Sequence, residues 1–276
     1  MELLNALHWI WMQMTFQVDW TVNVFWFVTL LTGMLWVVEM VWPWRTQQPF
    51  RRKDWALDLA YLYLNLFVFS IVLEMVYGLF GRWLPMRWNI LDLRNVPVFA
   101  QLSVFFVLQD FLQWWMHRLL HANKWLWRFH QIHHSVLEMG VASHFRYHWM
   151  ENVFYKPTTM ATLSMFAGVE PDLAFCVHTL TLAIGHLNHS NIQLDWGPLR
   201  YVFNSPTMHL LHHSRSHLRE GGVNFGLSLS CWDYLFGTSV SPTTDGEMDL
   251  GFDGMQDVPD SLFNQLTHGF RASHSK

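Results

Sequence analysis

Phe129-His130-Gln131-Ile132-His133-His134-Ser135 sets three imidazoles at positions i, i+3 and i+4, which share one face of a helix. The pattern returns at His209-Leu210-Leu211-His212-His213. A third cluster, His117-Arg118-Leu119-Leu120-His121, spaces its histidines four apart, and a fourth, His186-Leu187-Asn188-His189, spaces them three apart. The chain holds 17 histidines, and 13 of them lie between His117 and His213. A single such pair is usually a surface accident; four in one stretch point to metal, because neutral imidazole is the commonest protein metal ligand. Zinc usually takes four ligands, so ten imidazoles exceed the needs of one ion and suit two ions of higher coordination. The spacing leaves the metal open, since imidazole serves Zn, Cu, Fe and Ni. No His-Glu-x-x-His pattern occurs and no glutamate falls inside a cluster, which argues against a metalloprotease.

Outward from the clusters the sequence is greasy. Of 276 residues, 51% are hydrophobic, 17% aromatic and 14% charged, against about 25% charged in an ordinary soluble domain. Seventeen Trp fit a bilayer interface. Thr21 to Val41, Trp55 to Phe80 and Pro97 to Met116 are each long enough to cross a membrane. Pro157 to Ile184 is apolar but broken at Gly168-Val169-Glu170-Pro171-Asp172, which predicts a helical hairpin or two short tilted spans. Arg45, Arg51, Arg52 and Lys53 in the first loop share a side with Arg118, Lys124, Arg128, Arg146 and Lys156, whereas the second loop has Arg82, Arg87 and Arg94. Basic loops mark the cytoplasmic face, so the histidines are expected there, under a polar cap starting near Gln193.

The expected fold is therefore an all-α membrane protein. It has three to four transmembrane helices plus the hairpin, and a cytoplasmic helical cap holding a histidine-rich dimetal site. One domain spans 1–276, with the histidine region at about 97–238. Residues 1–17 lack a basic stretch and a small-residue cleavage site, so they predict an interfacial helix or a frayed tail, not a cleaved signal. Cys176 and Cys231 are too few for a disulfide framework. A net charge of −4 with no long basic tract argues against nucleic-acid binding.

With its HxxxH, HxxHH and HxxHH set behind hydrophobic stretches, the sequence resembles the fatty acid hydroxylase superfamily, also called the sterol desaturase family. Asn188-His189-Ser190-Asn191-Ile192 and Trp232-Asp233-Tyr234-Leu235-Phe236-Gly237-Thr238 strengthen the likeness. Arg146-Tyr147-His148-Trp149-Met150-Glu151 departs from the family text by having Trp149 where proline is common. The resemblance implies a non-haem di-iron oxygenase with O₂ as co-substrate, hydroxylating or desaturating a fatty acyl chain, aminolipid or sterol-like lipid drawn from the bilayer. It also implies an external electron donor, such as a ferredoxin or a cytochrome b5-like protein, because no flavin or nicotinamide motif is present.

The expected ligands are His117, His121, His130, His133, His134, His186, His189, His209, His212 and His213. Asp110, seven residues before His117, either orients a ligand imidazole or makes a buried hydrogen bond near the interface. His148 is a candidate support for the ligands, and His178 a packing residue or a channel liner. A membrane cytochrome would need histidine pairs facing each other inside the bilayer, and a metal-transport or storage protein would string its histidines along a pathway. Both remain alternatives at the level of sequence.

Overall fold

Asn23 decides where the first long helix begins. In the computed structural model, which describes residues 2–69, 71–72, 75, 88–167, 171–241 and 248–270, its side chain accepts from the Trp26 N–H and caps α2, Val24–Val41. The same side chain donates to the Gln13 carbonyl at 3.0 Å, tying α2 to the N-terminal helix α1, Glu2–Met14. Among the described residues α2 is the one helix long and apolar enough to cross a membrane. Leu30, Met34 and Val37 leave its outer face apolar. Its only charge, Glu39, turns inward, accepts from the Val141 and Asn191 N–H groups at 2.8 and 2.6 Å, and pairs with Arg52. A buried carboxylate survives in an apolar helix only with partners of this kind.

Helix α3, Trp55–Tyr63, continues as a π-helical turn over Leu64–Phe69. Most of the remainder of the expected second span, Glu74 included, lies outside the described residues, as do Arg82 and Arg87. Asn65, inside the π turn, donates to the Phe145 and Tyr147 carbonyls, both at 2.9 Å, and accepts from Asn152 at 3.0 Å. That side chain clamps the loop at 145–147.

The expected third span and the HxxxH cluster form one rod, α4, Val98–Ala122. Pro97 starts it with φ −54°, a value already helical. Asn123 ends α4 and caps α5, Lys124–His134, by accepting from the Trp125 and Leu126 N–H groups. A one-residue junction thus folds HxxxH back against HxxHH. Helices α6, Trp149–Met165, and α7, Pro171–His189, both pack on α4 rather than chiefly on each other. This corrects the expected hairpin: α6 begins well before Pro157, which sits inside it, so the two halves are longer than the apolar stretches alone suggested. Residues 168–170 between them are outside the described residues. A two-residue parallel pairing of β1, Leu91–Asp92, with β2, Phe166–Ala167, joins this part of the fold.

The cap carries the short helices α8 (Pro206–His212), α9 (Arg215–Arg219), α10 (Cys231–Phe236) and α11 (Leu262–Leu266). Two buried carboxylates staple it to α4. Asp233 on α10 accepts from Trp114 Nε1 at 3.1 Å and from the Phe225 and Gly226 N–H groups at 2.9 and 2.8 Å, which fixes α10 against α4. Asp110 accepts from the Ser228 and Leu229 N–H groups at 3.0 and 3.3 Å and from Trp232 Nε1 at 2.9 Å. Among the described residues these cap donors take up its oxygens and no imidazole bonds to it, so of its two expected roles the buried hydrogen bond is the one present. Asp110→Ala orphans three donors, and hydrogen bonds to a charged acceptor are worth roughly 1.5–3 kcal/mol each. We expect a stability loss of about 3 kcal/mol or more, read as a lower melting temperature in detergent.

Candidate metal centre

Nine of the ten expected ligands converge in two adjoining groups. His117, His121, His130, His134 and His212 form one; His133, His189, His209 and His213 form the other. Within each group the ligand atoms lie within 4.8 Å of one another, and every residue but the half-buried His121 is buried. Helix α4 supplies His117 and His121, α5 supplies His130, His133 and His134, α7 supplies His189, and α8 with its C-terminal cap supplies His209, His212 and His213. Each HxxHH helix divides its histidines between the groups, His133 from α5 and His212 from α8 crossing opposite ways. The groups adjoin: the His134 and His213 rings stack with centroids 4.4 Å apart.

The hydrogen bonds fix which nitrogen faces inward. His117 Nδ1 donates to the Phe225 carbonyl at 2.8 Å, and His130 Nδ1 donates to Glu151 Oε2 at 3.0 Å. His133 Nδ1 donates to the Arg146 carbonyl at 3.2 Å, and His189 Nδ1 to the Gly185 carbonyl at 2.8 Å. A neutral imidazole carries one N–H, so all four Nε2 atoms are bare lone pairs. Yet His117 Nε2 faces His130 Nε2 at 3.2 Å, and His133 Nε2 faces His189 Nε2 at 3.2 Å. Two acceptors at that distance repel, and a shared cation removes the conflict. Metal–nitrogen bonds of about 2.1 Å set neighbouring ligands roughly 3 Å apart at right angles. The remaining contacts are of that size: His134 to His121 and to His130 at 3.2 Å, His209 to His189 at 3.0 Å and to His213 at 3.3 Å. The residues present fit a pair of metal ions.

Electrostatics agree with a neutral donor set. Burial, reinforced by the neighbouring imidazoles, holds His130, His134, His209, His212 and His213 well below the usual histidine range. Trp127 covers His121 and His134, and Phe225 covers His121 and His212, which keeps water from the larger group.

His186 does not join the nine, and this corrects its place in the expected set. Its Nε2 meets Thr32 Oγ1 at 3.0 Å, and its Nδ1 lies 2.8 Å from His144 Nδ1 and 3.2 Å from the Leu182 carbonyl. His189 faces the centre from the same helix, and His186 is engaged by α2 instead. His178 is off the centre too and belongs to neither group. His148 is also away from the groups. Its Nε2 donates to the Leu266 carbonyl at 2.9 Å, and its Nδ1 accepts from the Met150 N–H at 3.1 Å, capping α6. The support for the ligands comes three residues later, from Glu151, which the sequence reading quoted and gave no role. A carboxylate in the first turn of the helix after an HxxHH segment was the available signal.

His148 gives a pH prediction. Burial lowers it to about 4 from the ordinary 6.5, so the unfolded chain takes up this proton more readily than the folded one. The stabilisation is complete above about pH 6.5 and is lost as the pH falls from there towards 4. At roughly 1.4 kcal/mol per pH unit, the cap of α6 should weaken by about 3 kcal/mol across that window. His148→Asn, which caps without charging, should flatten this part of a melting-temperature profile; an unchanged profile would refute the assignment.

Comparison with known proteins follows the same region. Residues 102–238 match the fatty acid hydroxylase family. The chain belongs to the fatty acid hydroxylase superfamily. Its relatives include the ornithine lipid hydroxylase OlsE of Rhizobium tropici, 34% identical over 174 residues, 63% of this chain and 51% of that protein. The alkylglycerol monooxygenase of Xenopus tropicalis is 26% identical over 226 residues, 79% of this chain and 46% of that protein. The sphingolipid C4-hydroxylase sur2 of Schizosaccharomyces pombe is 28% identical over 153 residues, 54% of this chain and 51% of that protein. The chain thus spans about half the length of the curated relatives it matches. No solved structure is significantly similar to it.

Proposed function

We propose that the chain is a membrane-bound lipid hydroxylase whose two histidine groups hold two iron ions. The observation that carries this reading is the pair of confronted Nε2 lone pairs, one in each group, which a bound cation reconciles. The superfamily and the names of the three relatives given above, two lipid hydroxylases and an alkylglycerol monooxygenase, support the reaction class. A transport or storage protein has no need of two buried groups in which five of the nine rings are held in one tautomer by an acceptor on Nδ1, so the enzyme reading is preferred. Bound iron would supply the one-electron and O₂ chemistry that side chains lack.

The chain's own residues would do the rest. The Phe225, Arg146, Gly185 and Val223 carbonyls hold His117, His133, His189 and His212 with Nε2 turned inward. Such partners orient a ligand and raise its basicity. Glu151 does the same for His130. Overall, one oxygen atom of O₂ enters a lipid C–H bond and the other leaves as water. An external donor, a ferredoxin or a cytochrome b5-like protein, supplies two electrons, and two protons come from solvent. The lipid arrives from the bilayer, spanned by α2 and by further helices in a multi-pass arrangement with the histidine groups at the cytoplasmic face.

The test is to purify the chain with iron, supply a reductant and bacterial lipid extract, and follow products under isotopically labelled dioxygen. We expect metal close to two per chain, no haem absorption band, and one labelled oxygen atom in a hydroxylated lipid. Label arriving from water instead, or metal that varies between preparations with no oxidised lipid, would sink the proposal.

A further inference from the structure

His186 and His144 belong to neither histidine group, yet they are bonded to each other behind the smaller one. His186 is buried, and its Nδ1 faces His144 Nδ1 at 2.8 Å and the Leu182 carbonyl at 3.2 Å. A carbonyl only accepts, and a neutral imidazole carries one N–H. The proton therefore sits on His186 Nδ1, shared between the two acceptors as a three-centre bond. His186 Nε2 is then bare and accepts the Thr32 hydroxyl proton at 3.0 Å. Thr29, nearly one turn earlier on α2, donates its hydroxyl to the Phe25 carbonyl of its own helix. Thr32 instead reaches across to α7.

His144 links this pair to the centre. Its ring lies against that of His189, with centroids 4.9 Å apart and planes at 36°. Among the described residues His189 is the one ligand ring it contacts. Gly185 permits the approach, since a Cβ there would lie 2.4 Å from His144 Nε2. The carbonyl of the same glycine accepts from His189 Nδ1 at 2.8 Å. That bond fixes one atom of the ligand ring; the tilt of the ring about it is limited by what packs on its face. His144 supplies the packing, and His186 holds His144.

We infer that Thr32, His186 and His144 form a positioning chain that sets the plane of the His189 ring and ties the smaller group's metal to α2. The inference rests on the reading of the two groups as metal sites, and is independent of which metal they hold and of the lipid. It gives α2 a part in the centre although α2 contributes no ligand. It also explains why His186, displaced from the ligand set, is buried beside it.

The purified full chain is loaded with cobalt(II), whose visible bands report ligand geometry, and release to a chelator is followed. The phase belonging to the smaller group is the one that His133→Ala abolishes. Thr32→Val, close in shape but without the hydroxyl, should speed that phase about threefold, and His144→Ala about tenfold, at or below the range for direct ligand partners. Both should shift the cobalt bands of that group and leave the other phase unchanged. Thr32→Ser should restore the wild-type rate and spectrum. In the His144→Ala background Thr32→Val should add nothing, because residues acting in series are not additive. Equal release from wild type and Thr32→Val, a serine variant no better than valine, additive effects, or acceleration of both phases alike would overturn the chain. If His133→Ala left both metals bound, the two-group reading would fall, and this inference with it.

Discussion

Replacement of His133 by alanine is expected to strip one metal from the protein and leave the other in place. His133 belongs to the smaller group, with His189, His209 and His213, so its loss leaves three imidazoles there and five in the other group. The Arg146 carbonyl that holds it sits in a loop anchored independently by Asn65, so the fold should persist. Loss of a partner outside the ligand shell typically costs 10–100-fold in metal affinity or activity; loss of a ligand should exceed that. Elemental analysis should fall from about two metals per chain to about one, hydroxylation should fall to background, and helical circular dichroism should not change. Retention of both metals would show that the four imidazoles do not act as one group.

Removal of the Glu151 carboxylate should have the next largest effect. Glu151 is buried on the first turn of α6, and its Oε2 takes the His130 N–H at 3.0 Å. Without it His130 is free to rotate or to change tautomer, and its Nε2 no longer confronts those of His117 and His134 in one fixed geometry. Glu151→Ala should weaken metal retention by about 100-fold and Glu151→Gln, which preserves an acceptor, by about tenfold. The measurement is the rate of metal release to a chelator. Equal rates in wild type and both variants would refute a supporting role. His148→Asn, one turn away and off the centre, is the control that should not alter release.

The histidine spacing made the centre legible because helical periodicity is local: within each HxxHH or HxxxH unit the ring positions follow from the helix itself. The way His133 and His212 cross between groups was not legible, since it depends on the angle between α4, α5 and α8. Nor was the fate of His186. His186 and His189 look equivalent on a helical wheel, and only the approach of Thr32, 154 residues away in sequence, takes His186 out of the set. The carbonyls of Phe225, Arg146 and Gly185 leave no trace in side-chain identity at all. The two roles open to Asp110 could not be told apart for a related reason: its position on the inner face of α4 is readable in the sequence, but the backbone donors at Ser228 and Leu229 that occupy it are not. Hydropathy signalled α2 cleanly. It said less of α4, where Gln101, Gln109 and Asp110 turn inward and dilute the apolar signal of a helix that is nonetheless 25 residues long.

A shell built solely from imidazole has a cost in selectivity. Nitrogen donors bind divalent copper and zinc more tightly than ferrous iron, and nothing in the nine rings discriminates against the stronger competitors. Protein produced in a zinc-rich cell should therefore be isolated mismetallated, folded and inert, and should gain activity only after stripping and refilling under reducing conditions. In the cell, correct loading then depends on which metal is available when α5 and α8 close around the site.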